Sequence, residues 1–365
     1  MSRPITLVAV GDLQLGDSPT SVGYGFYSRY ANSPLEDLFT GLQSATSGAD
    51  ILFGNLETTL VPPEPGELRR SALQLRGETE FAASLRRVGF DVLNVANNHA
   101  IQHGTDTFRQ TVATLREAGI ACCGVRGTDG WASEPAVLQR GGQDVGFLGY
   151  CLRPRQYGAE LPPYAEGDTA SICRDVERLR ATGALVLVSL HWGEEFVSRP
   201  SSAEVAMAHA IIDAGAVAIL GHHPHVTRPV ERYHSRLIAY SLGNLIGDMT
   251  WYAPFRTGAI LRCDLADGGI VGESVSATRL SDDYRPSLDP RSVVPVVTTD
   301  ELHPLEEGAY ERAIAKSMRE QRVAAYRAAV LNIRRMPPGV LLQLVRETLR
   351  NKVDAVRERL VARPS

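Results

Sequence analysis

Cysteine is scarce here and follows no pairing pattern. The five residues Cys122, Cys123, Cys151, Cys173 and Cys263 are odd in number and form no C-x-x-C pair. That excludes a disulfide framework and predicts reduced thiols, as in a cytoplasmic protein. Long apolar runs are also missing. The N-terminal stretch "ITLVAV" is shorter than a signal-peptide core and meets Asp12 almost at once. No segment approaches the roughly 20 apolar residues of a membrane span. Charge of one sign is lacking too. Lys and Arg number 38 against 42 Asp and Glu, a net charge of −4, which argues against nucleic acid as a partner for the body of the chain. Internal repeats and low-complexity segments are absent. A soluble, cytoplasmic location is the resulting expectation.

What is present reads as globular. Hydrophobic residues make up 44% and charged residues 22% of the 365. Short apolar runs end one after another in polar residues: "ITLVAV" in "GDLQLG", "ADILFGN" in "LETTL", "DVLNVA" in "NNHA", "ALVLVSL" in "HWGEE" and "AVAILG" in "HHPH". Such runs suggest strands buried on both faces. Helical patterns at 79–89, 104–119, 168–183 and 201–215 alternate with them, each with a capping-type start and a glycine stop. The alternation predicts an α/β fold with a largely parallel core. Ribbons at 136–150, turned at Gly141–Gly142, and at 229–244 and 258–280 add antiparallel strands. A mixed sheet or a second sheet is expected.

The polar strand ends carry the chemistry. In open α/β sheets, ligands bind outside the carboxyl ends of the strands. Here those ends supply Asp12, Glu57, Asn98, His99, His191, His223 and His225. Carboxylates, an amide oxygen and several imidazoles converging on one rim suit one or two divalent ions such as Mn, Fe or Zn. Singly, each residue has a bland reading: Asp12 can cap a turn, and Asn97 or Asn98 can close one. The ordered set outweighs those readings. His209 in a helix, His234 in a hairpin turn and His303 in a loop read as structural. His103 and His222 are left open between supporting the loop and lining the pocket.

These residues carry a resemblance. "GDLQLG", "GNLETTL", "NVANNHAIQHG", "VSLHWGEEF", "GHHPHV" and "IAYSLGN" resemble the ordered motifs of the CapA-like family, named for poly-γ-glutamate capsule synthesis. The family's fold is similar to that of the calcineurin-like metallophosphoesterases. The resemblance covers about residues 4–265. It implies an α/β; metallophosphoesterase-like α/β/β/α sandwich with two central mixed β-sheets over 1–300; the tail lies outside the resemblance, and its own pattern reads as a basic helical extension over 301–365. It implies Asp12, Glu57, Asn98, His191, His223 and His225 as metal ligands, with Glu57 bridging. His99 and Glu194 would serve catalysis, and Asn55, Asn97, His222 and Asn244 would line the substrate pocket. Glu195 also falls in a family motif. Two departures stand out: Gln14 where the superfamily has its first histidine, and Gln102 where an acidic residue is common.

The function so implied is a metal-dependent hydrolase using metal-activated water on a phosphoester, or on an amide or γ-glutamyl bond. It would be linked to capsule or cell-envelope polymer biosynthesis, with a small-molecule or polymer substrate. The other class is a non-catalytic, metal-binding accessory protein in polymer synthesis or export. Arg76, Arg153, Arg155, Arg199 and Arg228 are candidate anion contacts, though each reads more readily as a surface arginine. The C-terminal part, with helices expected at 310–335 and 339–362, carries an excess of Lys and Arg. Two readings of it are open: packing on the acidic core, or peripheral contact with an anionic membrane surface.

Overall fold

The computed structural model describes residues 3–67, 69–158, 161–266, 268–343 and 346. In chain order the strands are β1 (Ile5–Leu13), β2 (Ile51–Leu56), β3 (Phe90–Asn94), β4 (Ala121–Cys123), β5 (Ala136–Arg140), β6 (Gln143–Cys151), β7 (Leu185–His191) and β8 (Ala218–His222). They continue with β9 (Val230–Tyr233), β10 (Arg236–Ala239), β11 (Asn244–Ile246), β12 (Thr257–Ala266), β13 (Gly269–Leu280), β14 (Pro286–Leu288) and β15 (Val296–Thr298). The first sheet runs β14-β13-β12-β1-β2-β3-β4, with β11 paired to the end of β1. The second runs β15-β9-β10-β8-β7-β6-β5. Both are mixed: β1 to β4 are parallel and β12 to β14 antiparallel, while β6, β7, β8 and β10 are parallel and β5 and β9 antiparallel.

The pleat sorts the side chains into layers. Successive residues of a strand point to opposite faces. Leu7 and Ala9 of β1 join a core between the sheets, while Val8 and Val10 join a second core on the outer face. The same alternation in β7 sends Leu187 inward and Val186 and Val188 outward. Phe53 and Phe147 stack across the inner layer with centroids 5.5 Å apart. Each fully buried side chain of this size contributes about 1.5–3 kcal/mol.

The helices cover the outer faces. Three are short: α1 (Phe26–Tyr30), α2 (Gln43–Thr46) and α3 (Arg70–Leu73). The first outer core takes in Phe81 and Leu85 of α4 (Glu80–Val88) and Phe108, Val112 and Leu115 of α5 (Thr105–Glu117). The second takes in Ile172 and Val176 of α6 (Thr169–Arg180) and Ile211 and Ile212 of α7 (Ser202–Asp213). The architecture is therefore an α/β/β/α sandwich. α6 and α7 open with full capping boxes, Asp168 with Ser171 and Ser201 with Glu204. α4 and α5 start without a side-chain cap at Thr79 and Gly104, so the capping signal was correct for half of the expected starts.

The ribbon at 136–150 turns at Gly141 and Gly142, whose φ of +56° and +82° suit a hairpin turn in which both central residues are left-handed. Beyond β15 a single long helix, α8 (Glu307–Leu331), runs with only Ala328 buried. Residues 338–343 are helical, and the remainder of the helix expected over 339–362 lies outside the described residues, Arg346 apart. Among the described residues no helix is long and apolar enough to cross a membrane.

Candidate metal centre

Register alone aligns a row of polar residues across the first sheet. Asn244 of β11 pairs with Asp12 of β1, Asp12 with Asn55 of β2, and Asn55 with Asn94 of β3. Their side chains form a ladder: Asn94 Nδ2 donates to Asn55 Oδ1, and Asn55 Nδ2 to Asp12 Oδ1, both at 2.8 Å. Opposite, His191 ends β7 in register with His222, which ends β8. The chain crosses closely here. A Cβ on Gly11, just before Asp12, would lie 2.1 Å from Gly243 O, and one on Gly221, just before His222, 2.4 Å from Tyr240 O. Glycine brings neighbouring backbones together at the strand ends that carry the candidate ligands. Gly221→Ala is expected to cost at least the roughly 1–3 kcal/mol of overpacking, read as a lowered urea midpoint with unchanged slope.

Asp12, Glu57 and His191 are fully buried, and Asn98, His223 and His225 nearly so. Asp12 Oδ1 accepts from His222 Nδ1 at 3.1 Å, and Asp12 Oδ2 from the backbone N of His223 at 3.3 Å. His225 donates through Nδ1 to Asn244 Oδ1 at 2.9 Å, which leaves its Nε2 3.8 Å from Glu57 Oε1. His191 Nε2 lies 2.8 Å from Asn98 Oδ1 and 3.6 Å from Glu57 Oε1. Gln14 donates from Nε2 to Glu57 Oε2 at 3.2 Å. Burial pushes the Glu57 carboxyl up, to about 8. Burial also drives His191 and His223 well below the ordinary imidazole range. For Asp12 burial opposes ionisation, but hydrogen bonds from His222 and His225 outweigh it and hold the carboxyl well below its usual range.

This donor set fits a divalent cation. Glu57 Oε1 and both ring nitrogens of His223 are buried without a hydrogen-bond partner, and buried polar atoms rarely go unpaired unless an ion or water serves them. Three triads, Glu57–His191–His223, Asp12–Glu57–His225 and Glu195–His223–His225, each bring their ligand atoms within 4.8 Å of one another. Glu57 belongs to two of them. His223 and His225 both adopt left-handed backbone, with φ of +95° and +56°. Such conformations cost about 1–3 kcal/mol and cluster at functional sites.

Several sequence expectations need correction. Glu194 is not in the cluster: it forms a two-pronged pair with Arg153, at 2.7 and 3.0 Å. Its neighbour Glu195 supplies a donor instead. Adjacent glutamates cannot be told apart by spacing when a loop turns, and Phe196, at φ +69°, shows the turn. Asn55, Asn97 and Asn244, expected in the substrate pocket, are interior braces. Asn97 donates to Leu56 O and accepts from His99 N, and Asn244 donates to Phe255 O. His222 braces Asp12 through Nδ1 and keeps a buried, unpartnered Nε2.

His99, like Glu195, is only partly buried, its side chain 18% open to solvent. It donates from Nδ1 to Gln102 Oε1 at 2.8 Å and turns Nε2 toward Glu57, 4.0 Å away. His103 donates to Gln74 O, and His209 pairs with Glu231 against the Tyr233 ring. His234 and His303 are exposed. Of the arginines, Arg155 pairs with Glu166, Arg199 and Arg76 bond backbone carbonyls, and Arg228 is 1% exposed.

The fold and site define a two-sheet α/β/β/α sandwich with a buried carboxylate–imidazole cluster at its strand ends. Residues 6–249 match the sequence model of the family described as bacterial capsule synthesis protein PGA_cap, and the chain belongs to that family. It is 27% identical over 278 residues to the capsule biosynthesis protein CapA of Bacillus anthracis, covering 73% of this chain and 66% of that protein. It is 26% identical over 261 residues to the PGA biosynthesis protein CapA of Bacillus subtilis (strain 168), covering 69% and 68%. A probable polyglutamine synthesis accessory protein of Mycobacterium tuberculosis is 29% identical over 218 residues, covering 55% and 57%. The chain thus spans about two thirds or less of the length of these relatives. Among solved structures, 5'-nucleotidase from Candida albicans aligns with a TM-score of 0.42 at 12% identity, covering 89% of this chain and 59% of that one. TT1561 of Thermus thermophilus aligns with a TM-score of 0.40 at 11% identity, covering 75% and 98%.

Proposed function

We propose that this chain is a metal-dependent hydrolase working in capsule or cell-envelope polymer biosynthesis, acting on a phosphoester or on an amide of the γ-glutamyl type. The observation that carries the reading is the buried, unpartnered donor set of Glu57 and His223 within shared triads. Asp12, Glu57, Asn98, His191, His223, His225 and Glu195 would hold one or two divalent ions, with Glu57 between them. Such an ion supplies Lewis acidity toward a phosphoryl or carbonyl oxygen and increased acidity of a nearby water.

The chain's own part is positioning and proton handling. Burial pushes His99 down to about 4, so its ring is neutral at pH 7. With Nδ1–H committed to Gln102, Nε2 is free to accept a proton from attacking water and return it to the leaving group. Asn244, and Asp12 Oδ2 at 3.4 Å, hold Nδ1 of the His225 ring, and the Asn94–Asn55 ladder fixes Asp12.

A second reading, a metal-stabilised accessory protein, is favoured by Gln14, which spends its amide on Glu57 where an imidazole would add a ligand. One variant separates the two. His99→Ala is expected to keep bound metal and melting temperature while hydrolysis of an aryl phosphate and of a γ-glutamyl anilide falls about 10²–10⁴-fold. Undiminished turnover would remove His99 from the chemistry. Wild type without turnover on either substrate, yet binding metal, would leave the accessory role.

A further inference from the structure

A cavity outside the donor cluster lies along α8. A groove of about 1370 Å³ separates α8 from the segment that follows β11. One wall is α8, which lies wholly beyond the family-matched residues 6–249. Lys316, Arg319 and Arg327 line that wall, and among the described residues none of the three has a hydrogen bond or ion pair. The groove's carboxylates are largely engaged: Glu320 accepts from Tyr252, Asp282 pairs with Arg256, and Asp248 accepts from Ser18, Ser21 and Phe26. Facing α8 is Trp251, whose Nε1–H is buried without an acceptor. The cavity therefore offers, among the described residues, solvent-facing cations and one buried donor that an anion can engage.

Shape narrows the anion. At 1.5 Å per residue, Lys316 to Arg327 spans about 16 Å along the helix axis, too long for one phosphate or one carboxylate. Val323 and Ala324 line the groove between these cations and Ala328 beside Arg327, apolar surface suited to methylene groups separating repeated charges. A file of ring contacts connects the groove to the donor cluster. Trp251 packs on Phe255 with centroids at 5.1 Å, Phe255 on Phe196 at 4.7 Å, and Phe196 on the ligand His225 at 6.5 Å.

We propose that this groove binds a stretch of linear polycarboxylate chain and so presents an anionic polymer beside the metal centre. The proposal rests on the polymer role given under the proposed function. It is a statement about binding, and is tested apart from hydrolysis. The experiment is isothermal titration calorimetry of the full chain with a γ-linked glutamate oligomer, with free glutamate and with inorganic polyphosphate. It is repeated on Arg319→Glu/Arg327→Glu, both positions being exposed.

The expected result is binding of the oligomer that weakens with salt, no binding of free glutamate, and affinity about tenfold lower or worse in the double variant. Metal content and melting temperature should be unchanged. Should the charge reversal unfold the helix, Arg319→Gln/Arg327→Gln decides by the same readout. Failure of wild type to bind, equal affinity in the variants, or polyphosphate bound as tightly as the oligomer would each overturn the proposal. If oligomer binding survives in a His223→Gly protein that holds no metal, the groove stands independently of the hydrolase reading.

Discussion

His223→Gly is expected to invert its stability ranking against wild type when a divalent cation is added. With chelator present the variant should be the more stable. It removes a non-glycine residue from φ +95°, worth about 1–3 kcal/mol. It also removes two buried ring nitrogens that lack partners, whose desolvation costs about 1–3 kcal/mol. Against this stand about 0.5–1 kcal/mol of extra chain entropy for glycine and some lost packing against the His191 ring, 4.7 Å away. A net gain of about 2 kcal/mol, a rise of a few degrees in melting temperature, is expected. With Mn²⁺ or Zn²⁺ at about a hundredfold excess over its dissociation constant, wild type should gain about 2.7 kcal/mol and the variant almost none. Thermal melts with and without cation, alongside metal content by mass spectrometry, read both halves. A variant less stable than wild type in chelator would show that the strained histidine is held by packing and not by a ligand role.

Arg228→Met should be among the most damaging single substitutions in the molecule. The guanidinium is buried and engages Glu204 Oε1 at 2.6 Å, Val197 O at 2.7 Å, Glu194 O at 3.2 Å and Tyr310 Oη at 3.3 Å. It thereby ties the 193–197 loop to α7 and to the start of α8. Truncation leaves the Glu204 carboxylate with its Ser201 contacts alone and strands two backbone carbonyls. Breaking a buried pair from one side costs about 3–5 kcal/mol. Urea denaturation should show that loss, and metal affinity should fall with it because the same loop carries Glu195. Arg228→Lys should recover little, since a single ammonium cannot serve acceptors spread around a planar fork. Wild-type-like unfolding of Arg228→Met would mean that water replaces the guanidinium.

Much of the centre was legible because strand termini are local features. Asp12, Asn98, His191, His223 and His225 each follow an apolar run, and in a parallel sheet the ends of such runs share one edge. Glu195 was not legible as the participating glutamate, because which of two adjacent side chains faces the centre depends on the turn at Phe196. Nor was the bracing role of Asn55 and Asn244. A buried amide and a pocket-lining amide have the same residue type and the same position at a strand end, and they differ in what sits opposite. Arg228 was misjudged for a related reason: most arginines are exposed, and its four partners come from three separate stretches of chain.

The amino-acid sequence by itself determined the alternation of strands and helices, the glycines that end those helices, and the order in which metal-ligand residue types arrive. Those are short-range properties, written in periodicity and in the φ that glycine alone adopts cheaply. Only the tertiary structure decided that two mixed sheets face each other across Phe53 and Phe147, that Glu57 is shared by two donor triads, and that α8 lines a basic groove. These depend on contacts between residues far apart in the chain, where register, burial and crossing backbones set which groups meet, and no local pattern encodes that meeting.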